Sequence, residues 1–510
     1  MNFTIYAVPR HLSNSRIILA SFLVYLLLGL LGGLIAASLL LSCEQPLADT
    51  AARAEQTAAS GKQNLGSLAA ASLTVTAIPN IHAGSPAFFS GTASSEVVKV
   101  SATLDGFAIA SNVAVSGGEY SFLCNFNTAG SARSLVVTGY DASGAAVATA
   151  TKTIAVAAAS SYKAMRGVWL TTVGSTALNS KQNIVDAMNL CVNIGINAVF
   201  VAVWGDGVTL YPSGVMQNLT GVGQNPAYTG RDPLREVIDA AHARGIKVFA
   251  WFEYGFIESF GTSRGAILTA KPHWAAKNSA GQDLVKDNFY WMNALHPEVQ
   301  SFMNSLITEL VGGYDVDGIQ GDDHLCMPVE GGYDTYTVNL YKQEKGVNPP
   351  SNTKDAAWIQ WRAGKITAYI SRLFSAVKTK KGNVVVAMSP GPFPWSRDNY
   401  LQDWPTWMNN GTTEHISPQL YRYDITAYQN ELNKAVTYVS SSQLTTRFAS
   451  GVLLKSGTYK PTQQFLQQMI QANRAKGVKS EIFFFYEGLK DFQSFLTSTY
   501  ADRPSFPTLY

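Results

Sequence analysis

One junction recurs along the C-terminal two thirds of the chain and constrains the fold more than any other feature. A helix-like stretch ends on glycine and runs straight into an apolar strand. It does so at Asn193-Ile194-Gly195-Ile196, Ala243-Arg244-Gly245-Ile246, Lys381-Gly382-Asn383-Val384 and Ala475-Lys476-Gly477-Val478. Glycine closes a helix in the left-handed conformation at no steric cost, so each string marks a helix-to-strand turn. Strands are predicted at Met165–Val173, Asn197–Trp204, Lys247–Tyr254, Val316–Asp322, Val384–Ser389, His415–Tyr421, Arg447–Leu453 and Glu481–Glu487. Helices are predicted between them, including Gln182–Asn193, Pro233–Arg244, Glu298–Val311, Asp355–Lys378 and Pro461–Lys476. Eight alternations fit a (β/α)8 TIM barrel with long loops. The competitor is a doubly wound open sheet, and the lack of a glycine-rich phosphate loop after an early strand counts against it.

Upstream the grammar differs. Leu73–Val156 is rich in alternating Val, Thr, Ser and Ala, as in Val97-Val98-Lys99-Val100-Ser101-Ala102, punctuated by Asp105-Gly106 and Gly117-Gly118. Period-two runs at this spacing predict a small antiparallel all-β sandwich, and the pattern looks like a bacterial immunoglobulin-like domain. Residues 44–72 are dominated by Ala, Ser, Gln and Thr and suit a flexible linker. Before them Arg10, His11 and Arg16 precede an uncharged run, Ile17–Leu41, and the string Leu40-Leu41-Ser42-Cys43. That string resembles a bacterial lipobox with Cys43 as the lipidated residue, although the run is also long enough for an uncleaved membrane anchor. The expected organisation is therefore 1–43 signal or anchor, 44–72 linker, 73–158 immunoglobulin-like sandwich and 162–510 barrel. The expected location is the cell envelope, with the folded parts periplasmic or extracellular.

Composition narrows the class. Of 510 residues only 14% are charged while 11% are aromatic, the reverse of a disordered chain. Lys and Arg total 38 against 35 acids, which leaves no basic footprint for nucleic acid. Four cysteines cannot staple a chain this long. A weakly charged, aromatic-rich surface suits neutral polymers.

Strand alternation then sorts the acids, because the active site of such a barrel lies at its strand C-termini. With Val248, Ala250 and Phe252 against the helices, Trp251 and Glu253 turn inward. An outward Ile319 leaves Gln320 and Asp322 inward, and Glu487 shares a face with Phe485. On the sixth strand Gln419 and Tyr421 share the face opposite Leu420. Three carboxylates, Glu253, Asp322 and Glu487, are thus expected on one rim.

An ordered set of strings carries a family resemblance: Arg166–Leu170 (RGVWL), Lys247–Phe256 (KVFAWFEYGF), Trp291–Val299 (WMNALHPEV), Val316–Pro328 (VDGIQGDDHLCMP), Met388–Pro392 (MSPGP), Pro418–Tyr423 (PQLYRY) and Phe484–Leu489 (FFYEGL). Over about Met165–Phe492 the chain resembles the bacterial family 10-like glycosylhydrolases (glycosyl hydrolase-like 10). The resemblance implies a TIM-barrel domain hydrolysing glycans. Gly321 stands where a bulky apolar residue is expected, so packing behind Asp322 is expected to differ.

Glycosidic cleavage needs one carboxylic acid to protonate the leaving oxygen and a carboxylate to attack the sugar or activate water. Asp322 is the preferred nucleophile or base, Glu253 and Glu487 compete for the acid, and Asp323 is expected to point away from the axis in a supporting role. Desolvation by Phe483, Phe485 and Tyr486 is expected to raise the pKa of Glu487. Trp204, Trp251, Trp291, Trp395, Tyr421 and Tyr423 are candidate sugar platforms, with His324 and Gln419 as polar substrate contacts. No cofactor or metal is called for. A metal-dependent hydrolase or deacetylase on Asp322, Asp323 and His324 is an alternative, disfavoured because three successive residues aim poorly at one point. A non-catalytic glycan-binding barrel is the other. The partners implied are a polysaccharide or cell-wall glycan and, through the anchor, a membrane.

Overall fold

The structure is a computed structural model that describes residues 70–76 and 80–509. Cys43, the apolar run and most of the linker lie outside the described residues. The first element is an all-β module of β1 (Ile81–His82), β2 (Pro86–Thr92), β3 (Lys99–Leu104), β4 (Phe107–Ala114), β5 (Glu119–Asn125), β6 (Gly130–Tyr140) and β7 (Ala146–Ala157). Five strands form one sheet in the order β1-β7-β6-β3-β4, while β2 and β5 pair separately. All pairings are antiparallel except β1 with β7. Alternate side chains (Val100, Ala102 and Leu104; Tyr120, Phe122 and Cys124) fill one core between the two sheets. Phe89 stacks on Phe122 there, with centroids 5.3 Å apart.

The barrel follows. Its strands are Arg166–Leu170, Ala198–Ala202, Lys247–Phe252, Gly318–Asp322, Val385–Ser389, His415–Ile416, Ala449–Leu453 and Ser480–Phe484, numbered one to eight below. They lie side by side in chain order, and the eighth pairs in parallel with the first. Parallel bridges Ile416↔Phe448 and Gln419↔Gly451 join strand six to strand seven and complete the ring. Gly451 permits this seam, since a Cβ there would stand 2.8 Å from the Pro418 carbonyl oxygen.

Helices return the chain between strands, with Lys181–Ile194, Pro233–His242, Pro297–Gly313, Ala356–Lys380 and Gln463–Ala475 at the expected places. Gly195, Gly245 and Gly477 adopt positive φ as their junctions predict. Gly382 does not, because that helix ends earlier and turns through a Val384 N–H bond to the Lys381 carbonyl.

Period-two burial divides the strands as expected. Val248, Ala250, Phe252 and Ile319 join the core under the helices, whereas Trp169, Phe200, Phe249, Trp251 and Ala387 pack inside the ring. Leu325 and Met388 occupy the space a side chain at Gly321 would need. At the opposite end, buried Glu481 takes the guanidinium of Arg474, Arg166 Nη1 at 3.4 Å and the Tyr500 hydroxyl at 3.2 Å. The all-β module sits at that same end and its flank. Asn80 donates to the Thr497 carbonyl, His82 Nε2 lies 2.8 Å from the Ala501 carbonyl, and Pro86 lies against Gly245 at the foot of strand three. The strand C-termini lie on the far side.

Candidate active site

Strands three and four place the acids. Phe252 pairs with Gly321 as the last register pair of the two strands, and Glu253 and Asp322 each come next along the chain, with the Glu253 charge acting on Asp322. Adjacent strands are about 4.8 Å apart, which makes the two side chains neighbours. Asp322 in turn pairs with Ser389 on strand five. The Ser389 hydroxyl donates to Asp322 Oδ1 at 2.9 Å, and so does Gln419 Nε2 at 2.9 Å. Glu253 receives the hydroxyl of Thr171, just past strand one, which is 3.1 Å from each carboxylate oxygen.

Burial drives both acids away from ionisation. It raises Glu253 to about 7, against a Thr171 hydrogen bond that lowers it and an Asp323 charge that raises it further. Burial, then the charges of Asp323 and Glu253, hold Asp322 well above the usual carboxylate range.

Asp323 does not point into the helix layer. The strand stops at Asp322 and the chain turns, leaving Asp323 buried with Oδ1 3.6 Å from His324 Nδ1. Its carboxylate acts on Glu253 and on the Tyr421 hydroxyl. The same turn corrects the objection to a ligand cluster, since atoms of Asp322, Asp323 and His324 all lie within 4.8 Å of one another. His324 Nδ1 lies 3.0 Å from the Glu253 carbonyl oxygen, a contact that requires an N–H at that nitrogen.

Glu487 is held by Ser175 and Thr176, in the loop after strand one. Strand eight ends at Phe484, and Glu487 falls in a short 3-10 turn where strand alternation no longer applies. Burial raises its pKa, but the Thr176 N–H and the Ser175 and Thr176 hydroxyls outweigh it and leave Glu487 below the usual range, opposite to expectation.

The candidate platforms also divide. Trp204 is a core residue, buried with Nε1 donating to the Gly255 carbonyl at 2.9 Å and its ring against Phe302. Trp251 is buried inside the ring against Trp169, below the acids, and Trp291 is buried behind His324. None of these three offers a face to a sugar. Trp395 does not stand in an open loop; it starts a short helix and packs half-buried on Tyr400. Tyr421 is half-buried over Phe484, and Tyr423 is 62% exposed, edge-on to Tyr459. Gln419, expected to touch substrate, is bonded to Asp322 instead.

Sequence reasoning missed Thr171, Ser389, Phe289 and Tyr400. The last two come from a three-stranded excursion (Ile257–Phe260, Val285–Lys286, Phe289–Trp291) and from the Trp395–Tyr400 helix. Phe289 and Trp291 flank His324 with centroids 5.9 and 5.8 Å away, and Tyr400 continues the wall at 6.2 Å from Trp291. Register with Asp322 was the available signal for Ser389; the other three follow irregular chain.

A closed ring of eight parallel strands with an acid cluster at its C-terminal mouth defines the class, a (β/α)8-barrel protein built as barrel hydrolases are. The chain belongs to the glycosyl hydrolase-like 10 family, whose model matches residues 164–480. It is 29% identical over 321 residues to the glycosyl hydrolase DigH of Escherichia coli K12, covering 52% of this chain and 69% of DigH. It is 25% identical over 293 residues to the glycosyl hydrolase YngK of Bacillus subtilis, covering 52% of this chain and 55% of YngK. Among solved structures, alpha-L-fucosidase isoenzyme 2 of Paenibacillus thiaminolyticus matches with a TM-score of 0.50 at 18% identity, covering 66% of this chain and 49% of the fucosidase. At that identity the likeness concerns the fold.

Proposed function

We propose that the protein is a glycoside hydrolase that cleaves O-glycosidic bonds of a polysaccharide or cell-wall glycan by acid/base catalysis between Glu253 and Asp322. One observation carries the reading: the two carboxyls stand at the C-terminal ends of adjacent parallel strands, close enough for the charge of one to act on the other, and both are pushed by burial above the usual range. Donor count divides the roles against a burial that raises both acids: Asp322 Oδ1 accepts two side-chain hydrogen bonds and Glu253 a single hydroxyl, so the roles proposed here put the charge on Asp322 and the proton on Glu253. Glu253 gives its proton to the leaving oxygen as the bond to the anomeric carbon breaks. Asp322 attacks that carbon or takes a proton from the attacking water. Asp323 keeps Glu253 protonated by its charge, and Tyr421, Tyr423, Phe289 and His324 line the approach. Family membership and relatives named glycosyl hydrolases support the same chemistry.

The test is release of new reducing ends from a panel of cell-wall and exopolysaccharide glycans. Asp322→Asn should lower kcat by about 10³-fold with the melting profile kept. Undiminished activity in that variant removes Asp322 from the mechanism.

The cluster of Asp322, Asp323 and His324 favours a second reading, a metal-dependent hydrolase or deacetylase. The bonds of Asp322 Oδ1 and His324 Nδ1 to protein partners reduce what the cluster offers a metal ion. Loss of activity on chelation, restored by Zn²⁺, would favour it over the first reading. For the rest of the chain, we propose the domain limits given above, with the all-β module an immunoglobulin-like spacer and Cys43 a lipid anchor in the cell envelope. The seven antiparallel-rich strands and the lipobox-like string support this.

A further inference from the structure

Asp322 is held with a selectivity its role as a carboxylate does not require. Both side-chain donors act on Oδ1: the Ser389 hydroxyl at 2.9 Å and Gln419 Nε2 at 2.9 Å. The second Nε2 hydrogen of Gln419 goes to the Ser389 carbonyl at 3.0 Å. This fixes the orientation of the amide, because a flipped Oε1 would face two acceptors at once. The Ser389 hydroxyl has one hydrogen, and its other neighbour, the Gly321 carbonyl, is farther away at 3.4 Å. The Asp322 main chain is tied as well, its carbonyl accepting from Gln402 Nε2 at 3.1 Å. The Asp323 N–H also donates to the carboxyl. At Oδ2 no side chain comes as close as the two donors of Oδ1: His324 Nδ1 stands 3.8 Å away, with its proton engaged by the Glu253 carbonyl.

We propose that Ser389 and Gln419 are positioning residues that clamp Asp322 by Oδ1, so that Oδ2 is the oxygen presented to the reaction. The assignment rests on Asp322 acting as proposed above. It explains why the sixth strand gives way to irregular chain after Ile416: Gln419 reaches Asp322 from there while its backbone bridges Gly451 across the seam. The clamp thus joins strands four and five to the closure of the barrel, and it acts on a carboxyl also faced by Asp323, Glu253, His324 and Tyr421. Removing a donor frees the carboxyl to rotate and withdraws support from its ionised form.

The experiment compares Ser389→Ala, Ser389→Thr and Gln419→Leu in the full chain, each checked for wild-type melting. Two readouts are used: kcat and KM with pH on the glycan the panel identifies, and the Asp322 carboxyl titration by difference infrared spectroscopy against Asp322→Asn. Ser389→Ala and Gln419→Leu should each lower kcat by about 10–100-fold, the worth of a hydrogen bond to a charged group, with KM little changed. Both should move the Asp322 titration upward, and Ser389→Thr should restore both values. A rise in KM at unchanged kcat would make Gln419 a substrate contact and overturn the clamp, as would an unmoved Asp322 titration. Should Asp322→Asn keep full activity while the titration moves as expected, the functional reading fails and the clamp stands.

Discussion

Glu253 shows how far a single residue can be read. Strand alternation gave its face, because inward and outward positions are two apart wherever the strand is regular. The same rule succeeded for Asp322 and Gln320, whose amide accepts from Trp169 Nε1 at 2.8 Å inside the ring. It does not extend to Glu487, which lies three residues past the last paired position of strand eight. It was silent on Thr171 and Ser389, since small hydroxyls at strand ends carry no pattern of their own. Depth was not legible either: Trp204, Trp251 and Trp291 have the composition of sugar platforms and the burial of core. A prediction belongs at this scale. Glu253 has a folded pKa of about 7, above its ordinary 4.5, so the folded state binds the extra proton between those values. The stability this contributes is full below pH 4.5 and is lost as pH rises through about 7. Glu253→Gln should therefore raise the melting temperature at pH 8 and leave it nearly unchanged at pH 4, as thermal denaturation at the two pH values would show.

Elements were read better than their ends. Every predicted strand exists, because apolar runs between glycine-capped helices have few other fates, but strand six holds only His415–Ile416 in regular pairing. The chain beyond it bends to bring Gln419 to Asp322, a tertiary demand that no local pattern records. The seam with strand seven depends on Gly451, whose missing side chain lets the Pro418 carbonyl approach. Gly451→Val should destabilise the protein by about 1–3 kcal/mol through overpacking. It should also lower activity, since Gln419 is displaced with the seam; urea denaturation beside the glycan assay measures both. The three-stranded excursion after strand three was not foreseen. Its strands are two to four residues long, too short for alternation to register.

At the scale of the whole molecule the two ends of the barrel are divided between stability and chemistry. The N-terminal end carries the buried Glu481, Arg474 and Arg166 group and the contacts to the all-β module. Glu481→Ala leaves two guanidinium groups without their buried partner and should cost about 3–5 kcal/mol, a loss readable by denaturant titration. The C-terminal end carries the acids. The measurement that tests this account most directly is the pH dependence of kcat/KM for glycan cleavage, in wild type and in Glu253→Gln. For the wild type, activity should fall as pH rises through about 7, where Glu253 loses its proton. With an activated aryl glycoside, whose leaving group needs no protonation, Glu253→Gln should stay active and show no alkaline fall. An alkaline fall that persists at the same pH in Glu253→Gln would contradict the assignment of Glu253 as the acid.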